Sequence, residues 1–539
     1  MNRRYVVWAL LLLLVTGLAG CGTPKVEVVP PPMPGEGSEQ WWNDRIFYEI
    51  FVRSFQDSDG DGIGDLDGLI ERLDYLNDGD PKTTDDLGIT GLWLMPINES
   101  PSYHGYDVTD YYAIEQDYGD EATFKRLMQE AHARGIVVIV DLVINHTSNQ
   151  HPWFRDESRR DWYVWSDENP TYKGPWGQSV WHKRGDASYY GIFWEGMPDL
   201  NYRTPAVSQE IYEVTRFWLE EMGVDGFRMD AIRHLIEDGQ QQENTPETHQ
   251  WLQDWHGYYK GIDPHAMTVG EVWTRTEDVV PYVGDEMDIC FEFDLASAIL
   301  DGARGGSNNV VSSVALKVDK LYPDGQYATF LTNHDHERAM TQLREDVAKT
   351  KSAAAIYMTL PGVPFIYYGE EIGMTGPKPD ERIRTPMQWS DKENAGFSTS
   401  LPWQGPNLDY SRKNVAVQLE DEDSLLVYYR RLIRLRSAFA ALRTGEYIPV
   451  LGGERHVFAY LRHGENEDVL VVHNLGEEAV TEYKLNLRGS TLAAGRYKAY
   501  DLLGESQAEA LEIADQGAFV DYVPVPTLEA GQTLVLLLH

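Results

Sequence analysis

Residues 136–146 read Ile-Val-Val-Ile-Val-Asp-Leu-Val-Ile-Asn-His, a β-branched run that ends in polar side chains, and a helix-length segment at 121–134 precedes it. The same unit recurs along the chain. Short β-branched or aromatic runs lie at 46–55, 91–97, 136–145, 226–230, 268–273, 288–294, 329–335 and 363–371, separated by helical stretches such as 209–222. Eight strands alternating with helices predict an α/β fold, a (β/α)8 TIM barrel, whose functional groups gather at the C-terminal ends of its strands. Asp141, Asn145, His146, Asp230, Glu271, His334 and Asp335 all fall where these strands should emerge.

Two departures from the regular spacing set the domain organisation. Between Asn145 and the helix beginning near Ala206 lie about sixty residues rich in Trp, Tyr, Gly and Pro, too long for a simple connection. Residues 146–205 are therefore expected to form an inserted subdomain walling one side of a cleft, with the barrel built from 41–145 and 206–443. From 444 to 539 the pattern changes to short alternating strands with turn residues, at 457–461, 469–472, 497–500 and 533–538, as in a terminal antiparallel β-sandwich.

The chain has 539 residues and a formal charge of −40, which would repel a phosphate backbone across its surface and argues against a nucleic-acid partner. With 16 Trp and 31 Tyr it has many flat faces with polar edges, suited to a neutral ligand bearing hydroxyls. Cys21 and Cys290 are too few for a disulfide framework. Arg3 and Arg4, an apolar run from 5 to 14, and Leu18-Ala19-Gly20-Cys21 have the layout of a secretory leader over residues 1–20. Its ending resembles the lipobox of bacterial lipoproteins, which implies lipidation at Cys21, export, and a membrane contact made only through that anchor. Residues 21–40, with Pro30-Pro31-Pro32 and Pro34, read as an extended tether.

Four further segments, Asp141-Leu-Val-Ile-Asn145-His146, Gly226-Phe-Arg228-Met-Asp230-Ala-Ile-Arg233-His234, Gly270-Glu271-Val-Trp273 and Asn333-His334-Asp335, resemble the signature regions of the α-amylase superfamily of glycoside hydrolases, and in the same order. Met197-Pro-Asp-Leu-Asn201, Gly105-Tyr106-Asp107 and the strand-eight segment 361–371 extend the resemblance from about Trp41 to the C-terminus. It implies an α-glucan substrate and a retaining reaction, in which one carboxylate attacks the anomeric carbon and a protonated one serves the leaving oxygen. By the resemblance Asp230 is the nucleophile, Glu271 the acid/base and Asp335 the carboxylate that holds sugar hydroxyls. Arg228, two residues before Asp230 and so on the same strand face, is expected to keep the nucleophile's pKa low. His146, His334 and Tyr106 match the family's sugar-binding side chains, Arg233 and His234 resemble a pair on the leaving-group side, and Trp273 is a further substrate-binding candidate.

Metal binding is expected at two places. Asp57-Ser-Asp59-Gly-Asp61-Gly62-Ile63-Gly-Asp65 matches the opening of a calcium loop, although the twelfth position is Gly68 where that loop needs Glu. Asp57, Asp59, Asp61, Ile63 and Asp65 are the candidates for Ca²⁺, or Mg²⁺; the other reading is a plain acidic turn. By the resemblance, Asn145, Asp199 and the carbonyl of His234 form a second site, the alternative being a metal-free hydrogen-bond network.

Several activities share these motifs. Arg233-His234 and Gly-Glu-Val-Trp are similar to those of α-amylases cleaving internal α-1,4 bonds. Arg384-Thr-Pro-Met-Gln-Trp389 and 197–201 resemble members between the oligo-1,6-glucosidases and the neopullulanases, so an exo-acting or cyclodextrin-hydrolysing enzyme is the alternative. A cell-surface glucan-binding protein is the non-enzymatic one.

Overall fold

In the computed structural model, which describes residues 26–539, eight parallel strands close into a barrel: β1 Phe47–Ile50, β2 Gly91–Leu94, β3 Val137–Leu142, β4 Gly226–Met229, β5 Met267–Gly270, β6 Ile289–Phe291, β7 Tyr327–Thr329 and β8 Val363–Tyr367. Each pairs with its neighbours in sequence, and β1 closes on β8 through Phe47 opposite Phe365. The period of two along a strand divides its residues between two cores. On β3, Val137 and Ile139 join Phe47, Trp93, Met267, Val269, Phe291 and Phe365 inside the barrel, whereas Val138, Val140 and Leu142 pack outward among the helices. Asp141 continues the inward column, and Arg228 stands opposite it on β4. Each large apolar side chain buried here contributes about 1.5–3 kcal/mol, so the interior is a packed plug supporting the polar groups above it.

The helix Glu121–Ala133 begins where Asp120 accepts a hydrogen bond from Thr123 N and buries Phe124, Leu127, Met128 and Ala131 at helical spacing. Gly135, at φ +73, then turns the chain into β3.

Three expectations shift. The seventh strand ends at Thr329, where residues 329–335 were expected to form it; Phe330 and Leu331 are buried apolar residues of the loop beyond the sheet, so composition alone could not separate them. The sixth stops at Phe291 because Glu292 accepts from Leu295 N and starts the helix Phe293–Gly305. The expected 209–222 helix runs from Pro205 to Arg216 and widens into a π-turn at Phe217–Glu221.

The insert carries a small sheet of Trp165–Ser166, Ala187–Tyr190 and Trp181–Arg184, joined to the barrel rim where Leu200 N donates to Asn145 O at 3.0 Å. At the C-terminus, strands β9 Glu446–Val450, β10 Val457–His463, β11 Asp468–Asn474, β12 Leu485–Leu487, β13 Gly495–Asp501, β14 Ser506–Ile513, β15 Phe519–Tyr522 and β16 Thr533–Leu538 form an antiparallel domain. Six of them make one sheet in the order β9-β10-β11-β16-β13-β14, and the pair β12-β15 shares its apolar core. The described part of the Pro-rich segment lies against the base of the barrel: Pro30 and Pro31 line a cleft with Asn77, Arg134 and Ile433, and Pro32 O accepts from Arg45. The leader and Cys21 lie outside the described residues. Among the described residues no helix is long and apolar enough to cross a membrane.

Candidate active site

At the C-terminal mouth of the barrel, one buried guanidinium faces three carboxyls. Arg228 Nη1 donates to Asp141 Oδ1 at 2.8 Å and to Asp230 Oδ1 at 2.7 Å, and Nη2 lies 2.8 Å from Glu271 Oε2 without hydrogen-bond alignment. Trp93 and Tyr106 flank the cation, at 5.2 and 5.8 Å from their ring centroids. Ala231 adopts φ +50, and its N–H donates to Glu271 Oε2 at 3.1 Å, so the residue after Asp230 helps hold the second acid.

One cation cannot hold three buried acids ionised. Burial raises the pKa of Asp230 to about 6 against the pull of Arg228, with Asp141 adding repulsion. This reverses the expectation of a low value at that residue. Burial likewise raises Glu271 to about 7, again opposed by Arg228 and assisted by Asp230. Asp335 goes the other way: burial opposes its ionisation, but His334, Arg384 and Arg228 outweigh that and hold it below the usual carboxylate range. Arg384 Nη2 lies 2.8 Å from Asp335 Oδ1.

Tyr106 and His146 line the space beside Asp230, and the Tyr106 hydroxyl donates to Asp141 Oδ2 at 3.0 Å. Burial pushes His146 down to about 3, so it is neutral. His334 differs from its expected place. It has no exposed surface and lies beneath Tyr106 and Asp335, with Nε2 2.6 Å from the Tyr106 hydroxyl and 3.3 Å from Asp335 Oδ2.

Two adjoining cavities meet at Glu271, Asp335 and Ala231. One, of about 520 Å³, is lined by Arg233, His234 and three aromatic rings, Trp176, Phe193 and Trp273. Trp273 stacks on Phe293 at 5.0 Å, and Trp176 on Phe193 at 5.7 Å, so each exposed ring is backed by a second. The other, of about 310 Å³, is lined by Tyr106, His146, Trp194, Asp380 and Arg384. Rigid aromatic walls with a few convergent polar groups suit the apolar faces and hydroxyl edges of a sugar.

The metal candidates divide. Carboxylate oxygens of Asp57, Asp59 and Asp61 lie within 4.8 Å of one another, a hard-oxygen set fitting a divalent cation. Asp57 and Asp65 are both also engaged within the loop: the oxygens of Asp57 accept from Gly60 N and Gly62 N, and those of Asp65 from Ser58 N, Ser58 Oγ and Gly68 N, Asp65 capping the helix Leu66–Glu71 as well. Ile63 N donates to Asp61 Oδ1. At the insert, Asn145 Oδ1 and Asp199 Oδ2 are buried without a hydrogen-bond partner; the ring of His234, whose carbonyl is the third candidate, turns its Nδ1 to Gln242 O at 2.8 Å. Orphaned buried oxygens of this kind fit a cation site.

Sequence reading placed Asp141 at a strand end and quoted Arg384 within a motif without assigning either to the site. It passed over Glu49, which lies 2.6 Å from His334 Nδ1 across 285 residues of chain. Opposite charges on neighbouring strands could have pointed to Asp141; nothing local marks Glu49. The remaining thiol, Cys290, is buried, and burial pushes its pKa up, as for an inert core residue.

The family model described as "Alpha amylase, catalytic domain" matches residues 49–445, and that of the "Alpha-amylase SusG C-terminal domain" matches 457–510. The chain is 39% identical over 450 residues to "Alpha-amylase 3" of Dictyoglomus thermophilum, covering 81% of this chain and 86% of that one. It is 33% identical to the "Oligo-1,6-glucosidase" of Parageobacillus thermoglucosidasius, over 81% of this chain and 91% of that one. The crystal structure of the α-amylase from H. orenii superposes with a TM-score of 0.78 at 40% identity, covering 92% of this chain and 99% of the other.

Proposed function

The chain belongs to the α-amylase family of glycoside hydrolases, and from that premise we propose that it is a retaining, endo-acting α-amylase that cleaves internal α-1,4 bonds of starch, glycogen and maltooligosaccharides. The observation that carries the reading is the pair of cavities meeting at Glu271 and Asp335, which gives a glucan chain room to either side of the acids. In this reading Asp230, ionised, attacks the anomeric carbon, and the glycosidic bond breaks as Glu271 gives its proton to the departing oxygen. Glu271 then takes a proton from the water that releases the glycosyl group. Both acids border the two nitrogens of one guanidinium, which favours the short carboxyl separation of a retaining enzyme, roughly 5–5.5 Å. Asp335, held ionised, receives sugar hydroxyls.

The second reading, an exo-acting α-glucosidase or oligo-1,6-glucosidase, is supported by the 33% identity to the oligo-1,6-glucosidase of Parageobacillus thermoglucosidasius. A time course on starch, pullulan and maltotriose decides between them. Mixed oligosaccharides at early times are expected; glucose alone from the start would establish the exo reading. Unaltered starch bound without turnover would leave only glucan binding.

We further propose that Asp57, Asp59 and Asp61 hold one Ca²⁺, with Mg²⁺ the alternative, and that Asn145, Asp199 and the carbonyl of His234 hold another, each bracing a loop of the rim. The chain is proposed to be exported and anchored at Cys21. Partition of the wild type into detergent, lost on Cys21→Ser, tests the anchor.

A further inference from the structure

We propose that Glu49 is a positioning residue for the glycosidase site, acting through His334 to set the hydrogen-bond direction beneath Tyr106 and Asp335. Glu49 occupies β1, opposite Trp93 on β2 and Tyr367 on β8, and is 2% exposed. Its Oε1 lies 2.6 Å from His334 Nδ1 and accepts from His334 N at 3.4 Å, and the charged groups that act on it are Arg228, Asp335 and Asp141.

The acceptors around the ring favour one tautomer. The Tyr106 hydroxyl has one proton and two neighbours that could accept it, Asp141 Oδ2 at 3.0 Å and His334 Nε2 at 2.6 Å; the ionised Asp335, whose Oδ2 lies 3.3 Å from Nε2, favours a hydrogen on that nitrogen and so leaves the hydroxyl proton to Asp141. His334 Nε2 therefore carries a hydrogen. Nδ1 then shares one proton with Glu49, either as imidazolium beside carboxylate or as neutral imidazole accepting from the carboxylic acid. Both arrangements leave Nε2 a donor. An apolar residue at position 49 would leave Nδ1 without its partner and permit the opposite tautomer, which turns an acceptor toward the Tyr106 hydroxyl and toward Asp335.

The inference rests on the glycosidase reading for its kinetic consequence, but the proton positions can be read without turnover. In a neutron crystal structure of the wild-type protein, density for hydrogen is expected on His334 Nε2 and between Nδ1 and Glu49 Oε1; a bare Nε2 overturns the proposal. Glu49→Gln keeps a donor to Nδ1 and is expected to hold kcat/KM on starch within about threefold. Glu49→Leu should lower it roughly 10- to 100-fold, by analogy with the loss of the partners that orient metal-bound histidines. A folded Leu variant within twofold of wild type overturns the proposal, as does a Gln variant that falls as far as Leu. If Leu fails to fold, the Gln variant and the neutron map still decide. Wild-type protein inactive on every α-glucan would instead refute the enzymatic reading and leave the proton assignment to be judged by the map.

Discussion

Arg228 places its charge between Asp141, Asp230 and Glu271, and this sharing separates the two working acids. Asp230, at about 6, ionises before Glu271, at about 7, so the pair is correctly charged only across that interval. Below it the nucleophile takes up a proton, and above it the acid gives one away. The kcat/KM on starch should therefore follow a bell-shaped profile with limbs near these values, and a rate flat from pH 5 to 8 would refute the assignment. Glu271→Gln should lose the contribution of proton transfer, about 10²–10⁴-fold, on starch while sparing the first step on aryl glycosides with good leaving groups. Stability carries the matching signature. A buried carboxyl whose pKa is raised favours folding while protonated, and that contribution is lost as pH rises through the folded value. Glu271→Gln should thus melt above the wild type at pH 8, with the advantage shrinking toward pH 5.

At the level of the element, β4 shows why strand and site are one design. Arg228 and Asp230 share its inward face, while Phe227 and Met229 anchor the other side among the helices. The strand starts at Gly226, where φ is +153 and a Cβ would stand 2.0 Å from Met267 O on β5. Gly226→Ala should destabilise by at least the overpacking cost of about 1–3 kcal/mol. Gly257→Ala, in the helix Pro246–Ile262 with nothing near the added methyl, should instead gain about 0.5–1 kcal/mol. Melting temperatures moving in the same direction for both would contradict the argument. The strand carrying this chemistry was legible because its polar residues interrupt an apolar run at a fixed spacing. Asp141 was legible as a strand-end acid for the same reason, whereas Asp335, read as one, stands in the loop beyond β7. The boundaries of β6 and β7 were not, because the loops beyond them bury apolar residues as strands do. Glu49 was illegible because its meaning arises only when β1 and the loop after β7 meet, and the low exposure of His334 follows from that same contact.

Over the whole molecule the acids outnumber the bases, 86 to 46, so basic partners run out and most acids face solvent among like charges. Surface ion pairs contribute little each, whereas repulsion summed over the surface acts against the compact state and is screened beyond about 8–10 Å at physiological salt. A neutral glucan loses nothing to that screening. Raising NaCl from tens of millimolar to the order of 1 M should therefore raise the melting temperature and leave KM for starch nearly unchanged. Cation binding must be separated from this, since it stabilises through mass action on the folded state and saturates. At fixed ionic strength a chelator should lower the melting temperature, and added Ca²⁺ should restore it. Asp59→Asn with Asp61→Asn should abolish the part of that response owed to the acidic loop, where three carboxylates stand within 4.8 Å, and keep the part owed to Asn145 and Asp199. A melting temperature that falls steadily with NaCl would refute the repulsion argument. No response to chelator would remove both cation sites, and a full response in the double variant would remove the loop alone.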